Sequence, residues 1–128
     1  GPFDAILCNP PYLSRSSFLD QASRMYEPAL ALFAEHKHSA YVSVRDALAA
    51  CAESERPLLS NAGYLYLEVA AGQADDVATL MTTMSGGGST ASKVEGGSRG
   101  HCHGRRLVEI ERDSHGTPRC VVLARAST

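Results

Sequence analysis

The stretch FDAILCNPPYL, Phe3 to Leu13, decides how the chain is read. Phe3 to Cys8 is a short apolar run, long enough for a strand and too short for a helix, and Asn9-Pro10-Pro11 ends it abruptly. The pattern predicts a buried strand of a parallel sheet. In open α/β sheets reactive groups gather just beyond the carboxyl ends of the strands, and Asn9 follows the strand at that point. Pro10 and Pro11 have no N–H to give a sheet ladder, so the carbonyls around them are held in a preset direction. Asn9 adds a carbonyl acceptor and an NH2 donor, and Tyr12 adds an aromatic face.

Outward from this corner, residues 13–37 read as a long loop with one short helix, which Pro28 permits to start and discourages from running through. From Ala40, the residues Tyr41, Val44, Leu48 and Cys51 recur at the spacing of one helical face, and this helix is expected to stop before Pro57. Asn61-Ala62-Gly63 is turn chemistry, and Tyr64 to Val69 reads as a second buried strand. Val77, Leu80, Met81 and Met84 mark another helical face, with Asp75 and Asp76 in its first turn, where the helix dipole favours negative charge. Residues 85–104 are dense in Gly and Ser and read as an insertion outside the core. Leu107 to Arg112 and Arg119 to Arg125 then flank Asp113, Gly116 and Pro118, a hairpin pattern. The fold class is therefore α/β, with a right-handed crossover making the first two strands parallel and a carboxyl-terminal antiparallel hairpin at one edge. The sheet so built leaves one strand edge exposed, so association or poor solubility is expected.

The chain has 128 residues, of which 44% are hydrophobic, enough for one core and one domain, 1–128. A net charge of -2 gives no global attraction to nucleic acid or to an anionic membrane. Cys8, Cys51, Cys102 and Cys120 lie far apart without a C-x-x-C pair, which reads as a reducing compartment and not as a disulfide scaffold. No run approaches the about 20 apolar residues of a membrane span, and no membrane partner is expected.

The corner suits a planar NH2 group. Asn9 and the Pro10 carbonyl accept its two hydrogens while Tyr12 packs against its plane. Amide and aromatic amino nitrogens are weak nucleophiles because their lone pair is delocalised. Accepting both N–H bonds returns density to nitrogen, and orientation at about 3 to 3.5 Å from an electrophile supplies much of the rate. The bland alternative is a proline-stiffened turn.

Asn9-Pro10-Pro11-Tyr12 resembles the [N/D]-P-P-[Y/F/W] motif of S-adenosylmethionine-dependent amino methyltransferases. Together with YEPALALFA at 26–34, GYLYLEVAAGQADDV at 63–77 and RDSHGTPRCVVLAR at 112–125, it resembles the carboxyl-terminal half of the HemK/PrmC family, outside residues 85–104. That family methylates the glutamine side-chain nitrogen of the Gly-Gly-Gln motif in peptide-chain release factors. The resemblance implies a partial Rossmann-like class I methyltransferase domain, S-adenosylmethionine as cofactor and a release factor as partner. It implies Asn9, Pro10 and Tyr12 as catalytic residues, Asn9 also facing the cofactor, and Pro11 beside the substrate. Glu27 and Pro28 match the family's Y-E-P loop, with a shaping role near the pocket, and this element implies a bacterial cytoplasmic or mitochondrial enzyme.

In the family the Gly-rich cofactor loop and the acidic residue for the ribose precede the NPPY strand, with which this sequence opens. Gly86-Gly87-Gly88 follows a helical pattern and does not replace that loop. The expectation is a fragment of a longer enzyme or a truncated product, inactive by itself. The alternatives are a DNA or RNA adenine amino methyltransferase acting on a flipped base, and a noncatalytic remnant or binding module.

Other features take the blander reading. His101-Cys102-His103 lacks a fourth ligand at usual zinc spacing, so no metal site is expected. Arg99, Arg105 and Arg106 could touch RNA presented with a release factor, but a solvated surface is preferred, as it is for His36-Lys37-His38. Glu68 reads as the end of its strand near the site, and Met81 and Met84 as core.

Overall fold

The computed structural model describes residues 1–13, 25–34, 36, 38–52, 56–83 and 104–126. Strand β1 (Phe3–Cys8) runs parallel to β2 (Leu59–Glu68). The hairpin of β3 (Arg105–Arg112) and β4 (Pro118–Arg125) joins through β4, which is antiparallel to β2. The result is a mixed four-stranded sheet of order β1-β2-β4-β3. With helices α1 (Ala29–Leu32), α2 (Ser39–Ala52) and α3 (Ala74–Thr82), the fold is α/β. Among the described residues, no helix is long and apolar enough to cross a membrane.

Strand alternation sorts the side chains onto two faces. Leu65, Leu67, Val121 and Leu123 point to the face covered by α2 and α3, where they form one cluster with Tyr41, Leu48, Val77 and Met81. Ile6 and Cys8 lie level with Leu65 and Leu67 and pack at its margin. The other face carries Leu7, Tyr64, Tyr66, Val122 and Ala124 in level rows, none of them part of that cluster. Burying these side chains at about 25 cal/mol per Å² is what holds the helices on the first face.

The helices follow the expected periodicities. On α2, Tyr41 and Leu48 are buried, and the helix ends before Pro57. Asp75 and Asp76 occupy the first turn of α3, whose buried face is Ala74, Val77, Ala78 and Met81. Met84 and residues 85–103 lie outside the described residues, as do Arg99, His101, Cys102 and His103.

Four expectations are corrected. First, β1 is an edge strand and mostly exposed, with Leu7 at 79% and Phe3 at 59%, because β2 flanks it on one side only. Second, Asn61-Ala62-Gly63 does not turn the chain but lies within β2. The turn-forming residues instead fill an irregularity in the ladder, where two steps along β1 from Phe3 to Ala5 match five along β2 from Leu59 to Tyr64. Third, Arg105 is not a solvated charge. It opens β3 half-buried in a small recess with Leu48, Pro57 and Arg125, and burial lowers its pKa, whereas Arg106 alternates to the exposed side. Fourth, His38 is half-buried, its ring edge-on to Tyr41 at 6.1 Å, and it enters α2 with φ 64. Exposed His36 keeps the surface reading, and Lys37 lies outside the described residues.

Candidate functional site

The end of β1 and the end of β2 meet at one level. Cys8 is level with Leu67, and the residues that follow them, Asn9 and Glu68, line one cavity. The antiparallel strand β4 returns beside them, with Cys120 level with Glu68 and the Val69 N–H donating to the Arg119 carbonyl at 2.9 Å. An open cavity of about 450 Å³ lies here, lined by Leu7, Cys8, Asn9, Tyr66, Glu68, Arg119 and Cys120. It sits at the carboxyl end of β1 and β2, where open α/β sheets gather their ligands.

Asn9 is exposed, lines the cavity, and its side chain has no hydrogen-bond partner among the described residues. Pro10 is buried and Pro11 half-buried, and neither is among the lining residues. Tyr12 packs against the core, and its hydroxyl donates to Glu68 Oε1 at 3.2 Å. Glu27 and Pro28 are exposed and outside the lining. Their segment is nevertheless tied to the corner. Leu13 bridges Phe33, with the Leu13 N–H donating to the Leu32 carbonyl at 3.2 Å and the Ala34 N–H to the Leu13 carbonyl at 2.9 Å. Pro28 caps α1, and its carbonyl accepts from the Ala31 N–H.

Glu68 is held at two points. Tyr12 takes its carboxylate, and the buried Tyr41 hydroxyl donates to its backbone carbonyl at 2.8 Å. Tyr12 has a raised pKa, first from burial, then from the charge of Glu68 and the hydrogen bond to it. Tyr41 is shifted further upward, chiefly by burial. Both phenols therefore remain donors at neutral pH. Burial also raises the Cys8 and Cys120 thiols, which disfavours thiolate chemistry in the cavity. Neither Cys8 nor Cys120 is in a disulfide.

Arg119 supplies the cavity's positive charge. Its Nε donates to Asp113 Oδ2 at 3.0 Å, and its terminal nitrogens carry its remaining donors. Asp113 is fixed in the hairpin turn by the His115 and Thr117 N–H groups at 2.9 and 3.0 Å, and the turn closes through Gly116 at φ 80. Its carboxyl sits below the usual range, first because of the Arg119 bond and then because of the Thr117 N–H.

The cavity thus offers acceptors from Asn9 and Glu68, a guanidinium donor, and an apolar floor of Leu7 and Tyr66. Tyr66, Glu68, Arg119 and Cys120 also line the cavity, which the motif alone does not reveal. A signal was present for Glu68: two parallel strands ending at Cys8 and near Val69 bring their next polar residues together. Among the described residues, no three His, Cys, Asp or Glu side chains gather in a way that could hold a metal. No protein-family model matches the chain, and no curated protein matches it.

Proposed function

We propose that the cavity receives a planar side-chain amide, and that the chain carries the acceptor side of a glutamine N-methyltransferase of the HemK/PrmC kind, acting on the Gly-Gly-Gln motif of a release factor. The observation that carries this reading is Asn9. It is an exposed amide with no partner among the described residues, held at a strand's carboxyl end by a proline-stiffened corner and open to a cavity of about 450 Å³. The alternative of an ordinary turn would give that amide to its own backbone, as Asn does in an Asx turn.

The chemistry assigned to these residues is orientation. Acceptors on the two amide hydrogens fix the nitrogen's plane and raise its electron density, and the apolar floor excludes water from one side. The methyl donor of this family is S-adenosylmethionine, and the described residues do not fit it. Gly72, at φ 79 in the turn between β2 and α3, stands alone and not in a glycine-rich loop. The described residues hold the acceptor and not the donor.

The test is a titration of the chain, followed by amide-resolved NMR, with a release-factor domain bearing Gly-Gly-Gln, its Gln-to-Ala variant, and duplex DNA. The expected result is saturable shifts at Leu7, Asn9 and Tyr66 with the Gly-Gly-Gln domain, weakened about tenfold by the Ala variant, roughly the 1.4 kcal/mol of one net hydrogen bond. Shifts with DNA alone would replace this reading by an adenine amino methyltransferase. Equal binding of both domains would reduce the chain to a binding module.

A further inference from the structure

We infer that Glu68 is the second acceptor for the substrate NH2 group, and that the site selects a planar group carrying NH2 beside a hydrogen-bond acceptor. This rests on the proposed amide-binding reading and assigns the partners within it. An NH2 group donating two bonds of about 2.9 Å at about 120° places its acceptors about 5 Å apart. Adjacent strands are spaced about 4.8 Å, and Asn9 and Glu68 directly follow Cys8 and Leu67, which are paired on two such strands. Both line the cavity, whereas Pro10 is buried and does not.

Two tyrosines set the position of Glu68. Tyr41 fixes its carbonyl and Tyr12 takes one carboxylate oxygen, so Oε2 is the atom left for substrate. Tyr12 is then a positioning residue acting through Glu68. Arg119 completes the selection. A carboxamide has a carbonyl oxygen next to its nitrogen, and the guanidinium in the same lining is a donor for it. An alkylammonium satisfies Glu68 but brings a second positive charge to Arg119 and no acceptor. A tertiary amide satisfies Arg119 but leaves Asn9 and Glu68 without donors. A polar group that a bound ligand covers without pairing is a basis for rejecting a near-isostere.

The experiment uses propionamide, N,N-dimethylpropionamide and propylammonium as probes in NMR titrations of the whole chain and of Glu68→Ala, Glu68→Gln and Tyr12→Phe. The expected order for the wild type is propionamide first, by about tenfold over each of the others. Glu68→Ala is expected to abolish the preference over the dimethyl amide. Glu68→Gln, which keeps an acceptor oxygen, restores part of it. Tyr12→Phe loses affinity about two- to threefold but keeps the preference, which separates a binding role of Glu68 from a structural one. Wild type that binds propionamide with an unchanged preference in Glu68→Ala overturns the role of Glu68 alone. Wild type that binds none of the probes at the cavity overturns the amide-site reading together with it. If Glu68→Ala does not fold, Glu68→Gln and Tyr12→Phe decide: a preference lost equally in both overturns the assignment.

Discussion

Single side chains do two kinds of work at this site, and they separate by mutation. Tyr41 is fully buried, and its hydroxyl is the partner of a strand-end carbonyl. Tyr41→Phe removes the donor and leaves the Glu68 carbonyl short of a bond, so chemical denaturation should show a loss of about 1 to 3 kcal/mol. Asp113 acts through charge. Its folded pKa is depressed, so the stability it contributes is present above the unfolded carboxylate pKa and lost as pH falls through the folded value. Urea midpoints of wild type and Asp113→Asn should therefore differ at neutral pH and converge in acid. A constant gap across that range would show that the Asp113 charge has no part. The thiols give a third test. Cys8 and Cys120 have raised pKa values through burial, so iodoacetamide should alkylate them more slowly in the folded chain than in urea at the same pH.

At the scale of elements, the junction of β1 with β2 turns on one glycine. A Cβ on Gly63 would come within 2.8 Å of Leu59 Cδ1 and 3.0 Å of the Phe3 carbonyl oxygen. The leucine can shift, but the backbone oxygen of the neighbouring strand cannot without opening the irregular pairing. Gly63→Ala is expected to destabilise by about 1 to 3 kcal/mol, with loss of amide protection on β1 before β4. The same residue marks a limit of sequence reading. Asn61-Ala62-Gly63 has turn composition, and whether such residues turn the chain or pad a ladder depends on a partner strand 56 or more positions away, at Phe3 to Ala5. Local signals fared better where the element is its own context. The 3.6-residue spacing of Tyr41 and Leu48 and the acidic first turn of α3 needed no distant partner to be read. Asp113 and Gly116 announced the hairpin turn for the same reason. The site lies between these cases. Asn9 and the strand end at Glu68 were legible near the cavity from their own neighbours, but Arg119 enters only through strand register, which no short motif encodes.

Across the whole molecule, the outer edge of β1 is the feature with the largest consequence. Strand edges are usually protected by charge, proline or a covering element. Within β1 the one charge is Asp4, and its carboxylate accepts from Ser60 Oγ at 3.1 Å, toward β2 and away from the open edge. Leu7 is exposed on the face opposite α2 and α3, in the same row as Tyr66, and Phe3 is exposed at the start of the strand, level with Leu59. An open edge beside an apolar face gives backbone pairing and side-chain burial to the same contact, so each strengthens the other. Sedimentation velocity should therefore show a weight-average coefficient rising with loading across the micromolar to millimolar range in which exposed edges associate. Leu7→Lys places a charge where a second edge would bury it, and should return the chain to a concentration-independent monomer. If the wild type sediments as a monomer throughout, the edge is inert and β1 needs no cover. If Leu7→Lys associates as strongly as wild type, association runs through another surface, and the Leu7 and Tyr66 floor of the cavity stays open to substrate in the associated state.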